Sequence, residues 1–269
     1  EIHSVEEVFN RAAAVTMGLK EGTLVAQIHC GSRGYGRQVC ADYIERFQEV
    51  APSYDIDPPD PNLASVPLDS GEAEDYMGAM RAAANYAYAN RQVLAHRVRE
   101  VFDDLLEGAG ERLKTVYDVA HNLGQVEMHQ VDGKHMRCYV HRKGAARAFG
   151  PGTPGISLPY RALGQPVLVP GSMGETSWVM LATRDAMQKS FGSACHGAGR
   201  TMSRHEANHQ AEPVPLDGDG DGVAVRSGDG SASAGVQLKE NIGGVVETVA
   251  GSRLAGKVAR LEPLAVMHG

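Results

Sequence analysis

The stretch GQPVLVPGSMGETSWVMLAT, residues 164–183, contains two apolar runs separated by a glycine-rich turn. Each run is short and rich in Val, Leu and Met, which predicts two buried strands rather than a helix. The turn between them offers backbone N–H groups and serine hydroxyls that can cradle a phosphate or a base edge, although a plain hairpin turn explains it equally well. It lacks the Lys-Ser/Thr ending of a Walker A loop.

Helices are predicted on either side of this pair of strands. Ser4 and Glu7 form a Ser-x-x-Glu capping box in SVEEVFNRAAAVTMGL (4–19), where the apolar spacing is helical. Residues 72–106 are rich in alanine and free of proline, which predicts one long helix. A further helix followed by a terminal strand is predicted in the segment that begins at residue 243.

Short strands and long loops account for the rest of the chain. Strands are predicted at Leu24–Ile28, in VYDVAHN (116–122) and in MRCYVHRKG (136–144). Proline-rich residues 51–71 and the polar segment 205–240 predict loops. The mixture of elements predicts an α+β fold, with mixed sheets and helices around a central cleft, and the length allows one large domain or two.

Composition and charge exclude several classes of protein. The formal net charge is -7, so no global basic field indicates nucleic-acid binding, although a local basic site is compatible with it. No apolar run is long enough to span a membrane, and the scattered cysteines fit a reducing compartment better than a disulfide framework. The sequence therefore predicts a cytoplasmic protein with no membrane partner. It begins with Glu1 rather than methionine, which predicts a piece of a longer protein.

Three histidines, His29, His121 and His196, each follow a predicted strand or lie in a glycine-rich turn. Imidazole is the commonest metal ligand, and loops at strand ends often carry functional side chains. Taken singly, His29 and His121 are better explained as a core and a turn histidine; the recurrence of the three favours a catalytic metal centre built from distant segments. His196 in SACHGAGR, with Arg200 and Arg204 following, is suited to face a phosphate as ligand, acid or nucleophile.

Further basic residues are candidates for phosphate binding. Arg142, Lys143 and Arg147 lie close together in VHRKGAAR (140–147). A lysine next to a glycine can approach a phosphate as a point charge. The alternative is a solvated basic turn, which is the usual role of such runs.

Six motifs, in this order, resemble the RtcB family of GTP-dependent RNA-splicing ligases. They are HCGSRGYGRQ, ANYAYANRQ, DVAHN, VHRKGAARAF, GQPVLVPGSMG and FGSACHGAGRTMSR. The resemblance implies an RNA ligase that joins a 2',3'-cyclic phosphate or 3'-phosphate end to a 5'-hydroxyl end in transfer-RNA splicing or RNA repair. It also implies a single catalytic domain over residues 1–269, with GTP and two Mn²⁺ ions in the complete family site. An accessory activating protein is implied on the same ground.

The resemblance also implies roles for individual residues. His196 matches the family nucleophile that becomes linked to GMP, and His29 and His121 match metal-ligand positions. The positions that match contacts to the guanylate are Glu1, Asn122, Pro170, Gly171, Ser172, Met173, Ser177, Gly197, Ala198, Gly199 and His268. The candidates for binding RNA phosphate are Arg33, Lys143, Arg200 and Arg204.

The sequence departs from the family pattern in ways that bear on activity. The family's N-terminal half, with further metal ligands, is absent; His268 stands in place of a lysine, and Ala146 in place of a threonine. These departures predict that the chain alone ligates RNA poorly or not at all. Two alternative functions stay open: a metal-dependent phosphoesterase, which need not retain GMP on a histidine, and a non-catalytic remnant that binds RNA or a partner.

Overall fold

The computed structural model describes residues 1–171, 175–198, 224–227 and 242–268. The chain divides into two compact units, one made of residues 1–27 and 115–269 and the other of residues 28–114. The prediction of a single domain over 1–269 stays a prediction. Mixed sheets and helices are both present, so the predicted α+β fold class is confirmed.

The elements are numbered in chain order. The strands are β1 (Ile2–Val8), β2 (Leu24–Ala26), β3 (Asn122–Val131), β4 (Lys134–Lys143), β5 (Ala145–Arg147), β6 (Pro166–Val169), β7 (Ser177–Ala182), β8 (Ser193–Cys195), β9 (Ala224–Ser227) and β10 (Ala255–His268). The α-helices are α1 (Arg11–Met17), α2 (Arg33–Val50), α3 (Gly71–Leu105), α4 (Ala109–Arg112), α5 (Arg184–Lys189) and α6 (Ile242–Gly251). Short 3-10 helices cover Ala51–Tyr54, Pro61–Leu63 and Leu158–Tyr160.

The main sheet of the first unit has six strands in the order β2-β1-β10-β7-β6, and β9 also pairs with β10. All pairs are antiparallel except β9 with β10, so the sheet is mixed. The strand-turn-strand predicted for 164–183 is confirmed as the β6–β7 pair, with Pro166 opposite Leu181 and Val169 opposite Trp178.

Both faces of this sheet are buried. Every residue of β7 is buried, and because side chains alternate along a strand, successive residues contribute to different cores. Val179 and Leu181 pack with Ala13, Ala14 and Met17 of α1. Trp178, Met180 and Ala182 pack with Ile242, Val246 and Val249 of α6 on the other side. A strand covered by helices on both faces reads as a continuous apolar run, which is how SWVMLA appears in the sequence.

Two small sheets complete the first unit. Strands β3 and β4 pair without a break, from Asn122 opposite Lys143 to Val131 opposite Lys134. Asp132 (φ 48°) and Gly133 (φ 76°) form the two-residue connection, and two positive φ values are the signature of a type I′ hairpin turn. Strand β5 pairs with β8 in antiparallel register, with Ala145 opposite Cys195.

The second unit, residues 28–114, is helical. Helix α3 begins after Ser70, whose side-chain oxygen accepts a hydrogen bond from the backbone N–H of Ala73, and it confirms the long helix predicted for 72–106. Tyr43 and Phe47 of α2 pack against Tyr76 of α3, with ring centroids 5.3 and 5.5 Å apart. Among the residues described in either unit, no helix is both long and apolar enough to cross a membrane.

Other predicted elements agree with the structure in part. Strands β2, β4 and β10 and helix α6 confirm the predictions at those places. Strand β9 lies within the predicted loop 205–240, whose other residues lie outside the described part of the chain. The predicted strand 116–122 is wrong, since residues 113–121 form no strand and only Asn122 belongs to one, β3. The carbonyl of Val116 accepts a hydrogen bond from the hydroxyl of Tyr160 at 2.7 Å rather than from a neighbouring strand.

The helix predicted to start at Ser4 begins instead at Arg11. Ser4 lies in β1, paired with Glu262 on one side and Leu24 on the other, so tertiary strand pairing overrides the local capping signal. The residue that caps α1 is Asn10, whose Oδ1 accepts from the backbone N–H of Ala13 at 3.1 Å. The capping-box prediction at Ser4 and Glu7 is therefore wrong.

Mutation can distinguish the observed cap of α1, Asn10, from the cap predicted at Ser4. Asn10→Ala removes the acceptor for an otherwise unpaired helix N–H, so we expect it to lower the free energy of unfolding by about 1 kcal/mol. The matched control is Ser4→Ala, which should change it by less than about 0.5 kcal/mol because Ser4 caps nothing. Urea denaturation followed by circular dichroism measures both; a larger loss for Ser4→Ala would contradict the assignment of the cap.

Candidate functional site

The site begins with two histidines that come from distant parts of the first unit. His121 directly precedes β3, and His196 directly follows β8. Their rings are stacked, with centroids 3.7 Å apart and planes 4° from parallel, and both residues are half-buried. A ligand nitrogen of each lies within 4.8 Å of the other. The structure thus brings together two of the three histidines selected from sequence; His29 belongs to the second unit, and its role as a ligand stays a prediction.

The end of the β3–β4 hairpin that lies opposite its turn holds the backbone of His196. The backbone N–H of His196 donates to the carbonyl of Gly144 at 3.1 Å. The N–H of the same Gly144 donates to Oδ1 of Asn122 at 2.9 Å, and Asn122 pairs across the hairpin with Lys143. Asn122 and Lys143, both singled out from sequence, are therefore neighbours of the His196 segment.

The Pro170–Gly171 turn lies beside the residue after His196. A Cβ added at Gly197 would stand 3.5 Å from the carbonyl oxygen of Pro170, which is ordinary van der Waals contact. Ser177 is fully buried, and its Oγ accepts from the N–H of Gly171 at 3.0 Å, closing the turn at its base. Ala198 packs against the core that contains Trp178.

Glu1 is held by the side chain of His3 in β1 and by that of Gln27, the residue after β2. Its Oε2 lies 3.1 Å from Nε2 of His3, which is 1% exposed, and accepts from Nε2 of Gln27 at 3.1 Å. Both contacts reach the same oxygen, so the carboxylate is oriented. The contact of Glu1 with a guanine base stays a prediction.

Other sequence candidates are placed less completely. Arg33 is the first residue of α2 in the second unit, where its φ is 52°. His268 ends β10, but its side chain lies outside the described part of the chain. The remaining candidates lie outside the described residues altogether: Ser172, Met173, Gly199, Arg200 and Arg204.

Sequence reasoning missed a buried charged cluster behind His196. Arg142 of β4 donates to both carboxylate oxygens of Glu127 of β3, at 2.7 and 2.8 Å. Nε2 of His129 lies 2.8 Å from Glu127 Oε2. The side chains of Arg142 and Glu127 are each 5% exposed. A bidentate pair of this kind is strong and directional, but it is costly to break because each charge would be left buried alone.

The same arginine holds the turn that leads to His196. Its guanidinium donates to the carbonyl of Phe191 at 2.9 Å and to Oγ of Ser193 at 2.9 Å. Phe191 (φ 50°) and Gly192 (φ 60°) both have left-handed backbone, and a Cβ on Gly192 would lie 2.6 Å from the ring of Phe149. Left-handed φ is unfavourable for phenylalanine. The hydrogen bonds from Arg142 therefore stabilise an unfavourable turn immediately before β8 and His196.

Burial and charge act in opposite directions on Glu127. Burial by itself raises the pKa of the Glu127 carboxyl, but hydrogen bonds from Arg142 and His129 and their charges outweigh it and hold that pKa below its ordinary value. Glu127 is therefore ionised at neutral pH. A depressed pKa stabilises the folded state above the range in which a free glutamate titrates, and that contribution is lost as the pH falls.

A sequence signal for this cluster was available. The dipeptide Asp132–Gly133, between two runs of alternating polarity, is the strongest short-range sign of a hairpin. Recognising it would have paired 122–131 with 134–143 and placed Glu127, His129 and Arg142 on one face, since residues two apart share a face. Their contact with residues 191–193 has no local signature.

Comparison with known proteins identifies the class of protein to which this site belongs. A family model described as tRNA-splicing ligase RtcB matches residues 1–269. The chain belongs to the RtcB family, which confirms the resemblance seen in its motifs.

Individual relatives carry the same family name. All of the chain aligns with proteins named tRNA-splicing ligase RtcB from Archaeoglobus fulgidus, at 44% identity over 275 residues, and Thermococcus kodakarensis, at 42% over 277 residues. It covers 57% of each. The protein of that name from Pyrococcus abyssi is 44% identical and only 30% covered. The chain thus spans little more than half the length of these curated relatives, or less.

The buried pair can be tested through its pH dependence. Glu127→Gln leaves the guanidinium of Arg142 buried without its counter-charge, so we expect the free energy of unfolding at neutral pH to fall by about 3 to 5 kcal/mol. The difference in free energy of unfolding between the unmutated chain and the variant should narrow as the pH falls through the depressed pKa of Glu127. At that pH the protonated Glu127 is neutral, as the glutamine of the variant is.

Urea titrations at a series of pH values measure this difference. The matched control is Glu45→Gln, which removes an exposed carboxylate on α2 and should change stability by less than about 0.5 kcal/mol. A gap between Glu127→Gln and the unmutated chain that stays constant down to strongly acidic pH would contradict the ionised pair.

Proposed function

We propose that the protein is a GTP-dependent RNA ligase, which joins a 2',3'-cyclic phosphate or 3'-phosphate RNA end to a 5'-hydroxyl end through GMP linked to His196. Membership of the RtcB family and the names of the curated relatives support the general class. The observation that carries the proposal is the environment of His196. Its backbone is tied to Gly144, its ring is stacked on His121, and the Pro170–Gly171 turn adjoins it.

The chemistry asks His196 to act as a nucleophile. A neutral ring nitrogen attacks the α-phosphorus of GTP, a P–N bond forms, and the bond to the β-phosphate oxygen breaks with release of pyrophosphate. A 2',3'-cyclic phosphate end is first hydrolysed by water, which opens the ring at the 2'-oxygen and leaves a 3'-phosphate. An oxygen of the 3'-phosphate then bonds to the phosphorus of the GMP, and the P–N bond to His196 breaks. Finally the 5'-hydroxyl oxygen attacks the 3'-phosphorus, GMP leaves, and the hydroxyl proton passes to solvent or a base.

The protein prepares this reaction by orientation. Attack in line with the leaving group requires the imidazole to be held at a fixed angle, which contributes through proximity and alignment. The β5–β8 pair and the bond from His196 N to Gly144 O fix the backbone, and the ring of His121 limits the ring's rotation. Lys143 is exposed at the end of β4, where a positive charge suits an RNA phosphate. Arg33, Arg200 and Arg204 are proposed for the same task.

This unit supplies part of the donor set that a divalent transition metal needs. His121 offers an imidazole nitrogen within 4.8 Å of one on His196, and imidazole is a common ligand for divalent transition metals. We propose that His121 is a ligand of Mn²⁺; the ligand role proposed for His29 rests on the family resemblance alone. A bound Mn²⁺ ion neutralises phosphate charge and favours in-line displacement.

Guanine recognition is proposed for Glu1. Guanine presents N–H donors on its Watson–Crick edge, and an ionised carboxylate is acceptor-only, so the two are complementary. The contacts of His3 and Gln27 to Oε2 keep the carboxylate in one orientation. The backbone around Pro170, Gly197 and Ala198 is proposed to line the rest of the nucleotide.

The proposal is tested by guanylylation. The chain is incubated with Mn²⁺ and GTP labelled in the α-phosphate, then separated by denaturing electrophoresis. We expect a labelled band that acid releases, as a P–N bond requires, and we expect His196→Ala to abolish it. The matched control is His96→Ala, which removes an exposed histidine of α3 and should leave the label unchanged.

Each outcome of this experiment has one meaning. Label that survives in His196→Ala assigns the nucleophile elsewhere and contradicts the proposal. The absence of label on the unmutated chain contradicts it for this chain. Release of GMP or GDP without any adduct favours the phosphoesterase alternative.

A further inference from the structure

Strand β4 carries a row of basic and aromatic side chains on one face. Because side chains alternate along a strand, every second residue of β4 shares a face, from the end next to Gly144 to the end at the hairpin turn. These residues are Lys143, His141, Tyr139, Arg137 and His135. Together we call them the ribbon face. All are exposed except Tyr139, which is half-buried.

Contacts across the hairpin show that these side chains lie on the same side. A Cβ added at Gly124, opposite His141 in the ladder, would collide with the His141 ring and lie 2.9 Å from the hydroxyl of Tyr139. The rings of Tyr139 and His141 are 4.8 Å apart and nearly perpendicular, at 73°. Arg142, between His141 and Lys143 in the chain, points the other way into the buried cluster with Glu127.

The charge of the ribbon face contrasts with that of the whole chain. The β3 residues on this side are Asn122, Gly124, Val126, Met128 and Gln130, none of them acidic. Lys143 and Arg137 make no ion pair with any residue that the structure describes. The chain as a whole has a formal net charge of -7, so a face with two uncompensated cations and no carboxylate is a local positive surface.

Apolar and aromatic groups accompany these charges. Met128 is 59% and Val126 38% exposed, and both lie beside Tyr139 and Arg137 of the neighbouring strand. Positive groups spaced between aromatic rings are the arrangement by which proteins bind single strands: cations track the phosphates, and bases stack on the rings. An acidic polypeptide could pair with the positive charges, but it has no bases that stack on the aromatic rings.

We propose that the ribbon face binds the single-stranded RNA segment that ends in the 3'-phosphate to be joined. This inference rests on the proposed function and names the path of its substrate. The direction follows from where the face ends. Its innermost residue, Lys143, precedes Gly144, whose carbonyl holds His196, and the RNA 3'-phosphate must reach the phosphorus carried by His196.

The length of the face suits several nucleotides. From His135 to Lys143 the strand advances about 26 Å at the usual rise per residue. A site of this length contacts more than one phosphate, so affinity should increase with RNA length until the face is filled. A site limited to the end phosphate would bind short and long RNAs alike.

The test measures binding as a function of RNA length. Fluorescence anisotropy compares single-stranded RNAs of about 3 and about 12 nucleotides, each labelled at the 5' end and ending in a 3'-phosphate. We expect the unmutated chain to bind the longer RNA at least about tenfold more tightly. Arg137→Gln should remove most of this gain, leave the short RNA unchanged, and reduce the slope of log K against log salt by about 0.7.

A matched control lies on the same strand. Lys134→Gln removes one exposed positive charge from the opposite face of β4, so it should leave the length-dependent gain intact. Tyr139→Leu should reduce the gain about fivefold or more through lost stacking, and Tyr139→Phe should restore it because the ring is kept. Far-ultraviolet circular dichroism verifies that each variant folds.

Several results would overturn the proposal. They are equal effects of Lys134→Gln and Arg137→Gln, no gain with length in the unmutated chain, and competition by polyglutamate or duplex RNA as strong as that by single-stranded RNA. Guanylylation of His196 distinguishes the ribbon-face proposal from the proposed ligase reaction. Normal labelling without a gain in binding with length removes the ribbon proposal alone, whereas a gain without labelling removes the proposed reaction alone.

Discussion

The bidentate pair between Arg142 and Glu127 is the interaction on which the candidate site depends. It is buried, so each charge needs the other, and the same guanidinium reaches the carbonyl of Phe191 and the hydroxyl of Ser193. One side chain thereby joins the β3–β4 hairpin to the turn that precedes His196. The unfavourable φ of Phe191 is stabilised from outside the turn, by the arginine and by the packing of Gly192 on Phe149. The nucleophile proposed at His196 needs such support, because small displacements of a reacting atom cost much of the rate.

The two faces of the same hairpin have opposite properties. On one face Glu127, His129 and Arg142 are buried and internally neutralised, and they support the segment that carries His196. The other face is exposed, positively charged and aromatic, and it begins beside the same histidine. This division follows from the two-residue periodicity of a strand, which sends neighbours such as His141 and Arg142 in opposite directions. The type I′ turn at Asp132–Gly133 sets the register, and a slip of one residue would exchange the two faces.

Much of the fold and part of the site could be predicted from sequence. The apolar run SWVMLA and the alanine-rich segment 72–106 have one sensible interpretation each, because burial on both faces and helix propensity act locally. Ser4 shows where local signals fail: its capping pattern is genuine, but pairing of β1 with both β2 and β10 offers more hydrogen bonds than a cap. Strand β3 was missed for another reason, since its alternating polar residues resemble a surface segment unless the Asp-Gly turn is used to pair it.

The sequence by itself determined the family, the α+β class and the histidines worth attention, because these depend on residue types and short motifs. Tertiary structure alone decided that His121 stacks on His196, that Gly144 holds the backbone of His196, and that Arg142 stabilises the turn at 191–193. These contacts join residues some 50 to 75 positions apart. No local propensity encodes them, because they form only when the sheets bring the strand ends together, and only a packed interior makes an unpaired Arg142 or Glu127 too costly.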